Sequence, residues 1–295
     1  MHRVASSALP VPTPAEVREV GDIEPRHWLG GGIDCAACPH REMAAQGDCQ
    51  PGHSCMQDAY ARRIDRFFRR HADLAAAHLQ HPYFEVRAIA ARHVDLFRLP
   101  ALMNDPDETV RLQLALRVPQ RLLSQMRADP HREVRIRVAQ RLADIELPTM
   151  LRDPDDEVRK VIARRLPEHL LPLLARDPDR QVRCEVARRI GMPTLWAMSD
   201  DSQPEVRRLV AERLPPALLE PLVNDPDWLV RWTVAGRAGG ALLARLLADD
   251  EADVRAQAAQ RLADLQQAGG LPAAAACAES ASNRCTDPHT QVRHG

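Results

Sequence analysis

The chain has 295 residues, 45% of them hydrophobic and 27% charged, with 40 Lys and Arg against 41 Asp and Glu for a formal net charge of −1. That length exceeds one typical compact domain, so two domains or one elongated body are expected. The charge balance argues against a general binder of nucleic acid or anionic membrane, which carries a basic excess.

The first residues, "MHRVASSALPVPTPAEVREV", contain no apolar run of signal-peptide length, and no later window is apolar enough to span a bilayer. The chain therefore reads as cytoplasmic, where clustered cysteines hold metal more often than they form disulfides. Such a cluster follows at once. "GGIDCAACPHREMAAQGDCQPGHSC", Gly31 to Cys55, holds four of the chain's seven cysteines as C-x2-C-x10-C-x5-C: Cys35, Cys38, Cys49 and Cys55. Glycines 30–32, Gly47, Pro51 and Gly52 supply the turns that let four thiolates converge. A structural zinc takes four thiolates in a tetrahedron, and a cubane iron–sulfur cluster takes one cysteine per iron. The second pair departs from the usual C-x2-C zinc knuckle and Cys38 precedes Pro39, which favours iron–sulfur and leaves zinc as the alternative. His40 and His53 lie near enough to substitute, but beside four cysteines they are expected outside the ligand set.

Residues 57–80 keep a helical rhythm yet place Arg62 where the pattern that follows has valine, so they read as a degenerate capping repeat whose Phe67 and Phe68 fill the junction. From 81 to 272 the dipeptide Val-Arg recurs every 24 residues, from Val86 to Val254, marking eight ungapped repeats with alanine at position 11 in every copy. Asp-Pro opens the repeats at Asp105, Asp129, Asp153, Asp177 and Asp225, and reads as a helix N-cap followed by proline at the first helical position. Apolar positions 6, 10, 11 and 14, for example Val158, Ile162, Ala163 and Leu166, share one helical face. Pro119, Pro167, Pro215, Gly191 or Gly239 at position 15 then stops the helix, whereas Ala143 and Ala263 should stop it less crisply. The second half of each repeat, apolar at positions 18, 19 and 22, is too short for another full helix and too poor in β-branched residues for a strand, which predicts a 3₁₀ or single-turn helix. The fold class is thus all-α: a solenoid of eight stacked repeats behind a small cysteine-rich domain. From Ala273 the sequence turns alanine- and serine-rich, then "DPHTQVR" at 287–293 repeats positions 1–7 out of phase, as the stub of a ninth repeat in a poorly ordered tail. Cys277 and Cys285 there have no evident partner but each other. The domains expected are 1–56, 57–80, 81–272 and 273–295.

The unit "DPxxxVRxxVAxRLPxxxLxxL" resembles that of the leucine-rich repeat variant proteins, and the resemblance covers 81–272. It implies alternating α and 3₁₀ helices in a right-handed superhelix. It also implies a four-cysteine N-terminal domain holding a 4Fe–4S cluster, with Cys35, Cys38, Cys49 and Cys55 as ligands.

Arginine forms two columns, position 7 from Arg87 to Arg255 and position 13 from Arg117 to Arg261. One explanation is a ladder for phosphates or an acidic partner. The structural explanation, which is favoured, pairs position 7 with an acid four residues earlier on its own helix, as in Asp107/Arg111, Asp155/Arg159, Asp179/Arg183, Asp227/Arg231 and Glu251/Arg255, and packs its stem on the core edge. Position 13 has no such built-in partner. Trp228 and Trp232, one turn apart and off the apolar stripe, are candidates for a partner contact or for packing on the next repeat. Cys184 reads as a bystander thiol. No phosphate loop or nucleophile motif stands out, so the chain is not expected to be an enzyme. The leading expectation is a protein-interaction scaffold whose cluster is structural or oxygen- or redox-responsive. An electron carrier that docks through the solenoid and a nucleic-acid-binding solenoid are the alternatives. No membrane contact is expected, and the sequence does not name the protein partner.

Overall fold

In the computed structural model, which describes residues 23–268, the chain divides into two units, Met1–Arg165 and Leu166–Gly295. Among the described residues the regular elements are all helices, apart from two isolated bridges, His27 with Asp58 and Gln50 with Ser54. The expected tail 273–295, with Cys277 and Cys285, lies outside the described residues.

In the first unit the helices Ala61–Arg70, Phe84–His93, Glu108–Arg117, Arg132–Arg141 and Asp156–Arg165 pack one on the next in chain order. Alanine at position 11 is fully buried in each of the four repeat helices of this unit, at Ala91, Ala115, Ala139 and Ala163, which lets neighbouring backbones come close. The second unit repeats the scheme with Arg180–Arg189, Pro204–Arg213, Trp228–Ala235 and Ala252–Gln267. Short helices alternate with the long ones, as 3₁₀ in Leu96–Leu102 and Glu168–Leu174 and as α in Gly240–Leu246. Each unit is a stretch of solenoid, as the 24-residue period requires. Of the apolar positions in the second half, 19 and 22 are the buried ones, such as Leu171 with Leu174 and Leu243 with Leu246; position 18 is half-exposed.

The helix start differs from the expected one. The long helices begin at position 4, and the N-cap is position 3: Asp107 accepts from the Thr109 N–H at 2.8 Å, Asp179 from Gln181 at 2.8 Å, and Asp227 from Leu229 at 3.0 Å. The Asp-Pro aspartate stands two residues earlier. Its carboxylate accepts the N–H of its own position 3, as in Asp107 N to Asp105 Oδ1 at 2.9 Å, and is gripped by an arginine of the preceding repeat. That grip also corrects the pairing expected for column seven. Arg111 closes Nε and Nη2 on Asp129, eighteen residues ahead, at 2.7 and 3.0 Å, and not on Asp107. Arg87 and Arg135 do the same to Asp105 and Asp153 in the first unit. In the second, Arg183, Arg207 and Arg231 close on Asp201, Asp225 and Asp249. The remaining nitrogen donates to the position-1 carbonyl of the arginine's own repeat, as in Arg111 Nη1 to Asp105 O at 2.7 Å. A bidentate guanidinium–carboxylate bond is stronger and more directional than a flexible pair along one helix, which is why position 3 is left free to cap. The Asp129 hydrogen bonds raise the Arg111 pKa against the opposing effect of burial.

Column 13 has a partner the sequence did not disclose. Arg117, Arg141 and Arg165 reach back to the position-11 carbonyls of the preceding helix, Ala91, Ala115 and Ala139, at 2.5, 2.6 and 2.8 Å. Arg213 and Arg237 do so to Ala187 and Ala211. A cation on the last turn satisfies carbonyls that the helix leaves unpaired. This accounts for the two copies without a proline or glycine stop. The helix before Ala143 ends at Arg141 like its neighbours, because Arg165 caps Ala139 and Gln120 Oε1 takes the Ala143 N–H at 2.9 Å. The helix containing Ala263 has no following arginine among the described residues and runs on for 16 residues to Gln267. A less crisp end is therefore found at Ala263 and not at Ala143.

The capping segment 57–80 has the expected α plus 3₁₀ form, Ala61–Arg70 and Ala72–His78. Its helix stands one residue off the 24-residue phase, so buried Arg63 takes the third helical position that Val86 holds in the next repeat, and Arg62 is exposed. Phe67 and Phe68 are buried there, edge to face at 5.3 Å, as the junction requires.

Arg111→Ala is expected to lower the unfolding free energy by about 3 kcal/mol or more, since it strands a buried aspartate. Arg180→Ala removes a half-exposed pair with Glu205 and is expected to cost under about 0.5 kcal/mol. Urea denaturation of the two variants checks this, and equal losses would contradict it.

Candidate metal centre

The four cysteines sit on loops and short turns anchored to the helix Ala61–Arg70. Asp34 begins the arrangement: its Oδ1 accepts the Ala36 and Ala37 N–H groups at 2.9 and 3.3 Å, turning the chain between Cys35 and Cys38. The Cys38 N–H then donates to Cys35 O at 3.4 Å, and the Arg41 N–H to Cys38 O at 3.1 Å, leading into the short helix Arg41–Ala45. Gly47 and Gly52, both at φ 79, turn the chain back before Cys49 and Cys55. At Gly52 a Cβ would also lie 3.1 Å from Pro25 Cγ, so two constraints require glycine there. The Cys55 N–H donates to Arg63 O at 3.1 Å. Arg63 in turn bonds Asp58 Oδ2 at 3.1 Å and the Ile23 carbonyl, tying both ends of the loop domain to one buried guanidinium.

These bonds place the four cysteines that the spacing singled out on one loop domain. None of the four forms a disulfide. Burial comes first in raising the Cys35 thiol pKa, with the neighbouring Cys38 sulfur adding to it. The same order holds at Cys49, where Cys38 and Cys35 both contribute. At Cys55 burial pushes the thiol up to about 12, with Cys49 and Cys38 adding to the rise and a backbone hydrogen bond at Gln57 opposing it. The sulfurs are thus electrostatic neighbours, although among the described residues no three Cys, His, Asp or Glu side chains already stand in ion-binding arrangement. Metal sites commonly complete their convergence only with the ion, whose charge reverses the penalty on the thiolates.

The surroundings fit a sulfur-rich group. The His40 N–H donates to Cys38 Sγ at 3.4 Å. Ser54, next to Cys55, is fully buried with its hydroxyl unpartnered, a donor of the kind that tunes cluster sulfurs. The His40 ring is not turned to solvent: it is half-buried against Phe67 and His78, at 5.4 and 5.6 Å between centroids. Burial, then His78 and His71, lowers its pKa. The His53 backbone carbonyl accepts from Arg66 at 3.3 Å. Sequence reasoning missed Asp34, Ser54 and the packing of Trp28 against His81 and Tyr83, at 5.2 and 5.7 Å. An acid two residues before a backbone N–H is a legible turn signal. The ring contacts join residues more than fifty positions apart and leave no local trace.

In the second unit, Trp228 and Trp232 are 39% and 40% exposed, beside half-exposed Leu229. With Asp253, Ala256 and Gln257 they line a groove of 430 Å³. The groove thus lies between the two rings and the helix Ala252–Gln267. Cys184 is buried, and burial is the first cause raising its pKa.

Residues 25–77 match the family model described as LRV protein FeS4 cluster. Residues 204–227 match the leucine rich repeat variant model, a unit that begins where the helix Pro204–Arg213 begins. A solved structure described as a leucine-rich repeat variant with a novel repetitive protein structural motif is 41% identical, with a TM-score of 0.74, over 78% of this chain and 98% of that one. An uncharacterized 27.7 kDa protein from the nifB 3′ region of Rhodobacter capsulatus is 46% identical over 96 residues, 32% of this chain. That match spans only 39% of the relative's length. A condensin subcomplex from S. pombe, 18% identical over 70% of this chain and 28% of that one with a TM-score of 0.26, carries no argument.

In chelator-treated protein, Cys55 and Cys184 are expected to alkylate at least about ten-fold more slowly than Cys35, because only the thiolate reacts and burial suppresses it. Peptide mass spectrometry reads this directly. Equal rates at Cys35 and Cys55 would show that the loop domain does not hold this fold without metal.

Proposed function

This chain belongs to the leucine-rich repeat variant family, with a domain of the FeS4-cluster type at its front, and from that premise we propose a protein-interaction scaffold whose four cysteines hold a 4Fe–4S cluster. Cys35, Cys38, Cys49 and Cys55 are the ligands, and what carries the assignment is that none of the four forms a disulfide and all four stand in the segment that matches the FeS4-cluster family model. When bound, the cluster supplies the positive charge that those thiolates need and a centre sensitive to oxygen and redox state. The chain's own part is to position the sulfurs through Asp34, Gly47 and Gly52, to donate the His40 N–H, and to shield one side with Phe67.

The scaffold half of the proposal rests on how the arginines are used. Arg87, Arg111, Arg135, Arg183, Arg207 and Arg231 are spent on carboxylates of the next repeat and Arg117, Arg141, Arg165, Arg213 and Arg237 on carbonyls of the previous one, so these arginines offer no free cation to a phosphate backbone. The open tryptophan faces of Trp228 and Trp232 are the surface best suited to a protein, since exposed Trp beside an apolar groove is what interface hot spots are made of. Among the described residues no helix is long and apolar enough to cross a membrane.

Anaerobically purified protein is expected to be brown, with about four irons per chain. Cys38→Ser should lose most of that iron and Cys184→Ser should keep it, as metal analysis and visible absorption would read. A colourless chain carrying one zinc would overturn the cluster assignment. In anaerobic affinity capture, partners retained by the parent should be lost from Trp228→Ser/Trp232→Ser while the iron stays. Unchanged capture would move the docking surface elsewhere.

A further inference from the structure

Among the described residues, the last arginine of column seven has no carboxylate of the kind that its counterparts hold. Arg255 Nη1 donates to the carbonyls of Asp249 and Asp250 at 2.6 and 2.9 Å, as column-seven arginines do in earlier repeats. Eighteen residues further on, where the others find aspartate, the sequence has Ala273, and among the described residues no carboxylate pairs with the Arg255 Nε and Nη2 edge. The helix face beside it is open too. Ala259 occupies position 11, buried in the seven earlier repeats, and it is exposed.

The chain carries a segment written to fit that end. "DPHTQVR" at 287–293 matches "DPHREVR" at 129–135 at five of seven positions, including the aspartate, proline and histidine. In the matching segment Asp129 takes the Arg111 fork at 2.7 and 3.0 Å and its own His131 N–H at 2.8 Å. The connection is long enough. Arg255 lies twelve residues back from Gln267 along the helix, about 18 Å, and the nineteen residues from Ala268 to Asp287 span up to about 60 Å when extended.

We propose that the C-terminal segment 287–293 docks on the open face of the eighth repeat of its own chain, with the Asp287 carboxylate closing on Arg255 as Asp129 closes on Arg111. The occupant is a segment of this chain and not a phosphate or a second protein, because the site is one half of a pair that recurs along the array and its other half, in the same Asp-Pro context, is covalently tethered to it.

Hydrogen exchange of the full-length protein tests this. Asp287→Asn lies outside the array and does not threaten folding. It is expected to speed amide exchange around Arg255 in the helix Ala252–Gln267 by about ten-fold or more, the loss of a charge-assisted hydrogen-bond pair. Arg255→Gln should do the same, the double variant should exchange no faster than either single one, and the swap of Arg255→Asp with Asp287→Arg should recover part of the protection. Exchange unchanged in Asp287→Asn, or effects of the two substitutions that simply add, would overturn the proposal. Protection that disappears on dilution would also overturn it, by assigning the site to a second copy of the chain.

Discussion

A guanidinium closing on a carboxylate in the next repeat is the interaction on which the array depends. Taken from water, the two charges would cost more than their attraction returns unless every remaining hydrogen-bonding position were filled. Here nearly all are filled. The Arg111 nitrogens are shared between two Asp129 oxygens and the Asp105 carbonyl, and Asp129 also accepts the His131 N–H. One arginine therefore fixes the start of its own repeat to the start of the next, and the apolar faces meet in a register set by charge. The column-13 arginines work in the opposite direction, ending the helix behind them. Each unit is bound forward at its front and backward at the end of its helix.

Much of this was legible in the sequence, and the failures share a cause. Period, helix face and the short second helix are local or strictly repeating signals, and they appear in the structure where the spacing puts them. The pairing of Arg111 was misassigned to Asp107 because both are close in sequence, while its true partner lies eighteen residues away. The role of Asp105 as acceptor for Arg87 displaced the expected N-cap by two residues. Spacing within one helix is visible to periodicity reasoning, but a bond between two units is hidden, because every unit carries the same letters and the offset between partners cannot be read from any one of them. Column 13 escaped for a further reason: its acceptor is a backbone carbonyl, which no side chain announces.

The loop domain relies on a different physical constraint. Its turns are set by glycines and by bonds to Asp34 and Arg63, and burial first, then the neighbouring sulfurs, opposes ionisation of Cys49 and Cys55. The helix Ala61–Arg70 anchors this domain, since the Arg63 carbonyl accepts the Cys55 N–H and its guanidinium holds Asp58.

The fixed reach of the two arginines bears on how such a chain changes over generations. Forward pairs span 18 residues and backward caps 26, in every described unit that makes them. Gene duplication or deletion of one whole 24-residue unit leaves each surviving side chain with a partner at its usual offset, so the array can lengthen or shorten without a transitional form that is badly bonded. Slippage by one residue has no such protection. The capping segment displays its consequence: out of phase by one, with His81 in the place of the aspartate, Arg63 has turned to Asp58, five residues behind it, and contributes no forward pair. The pairing therefore tolerates a change of length in whole repeats and not a change of phase.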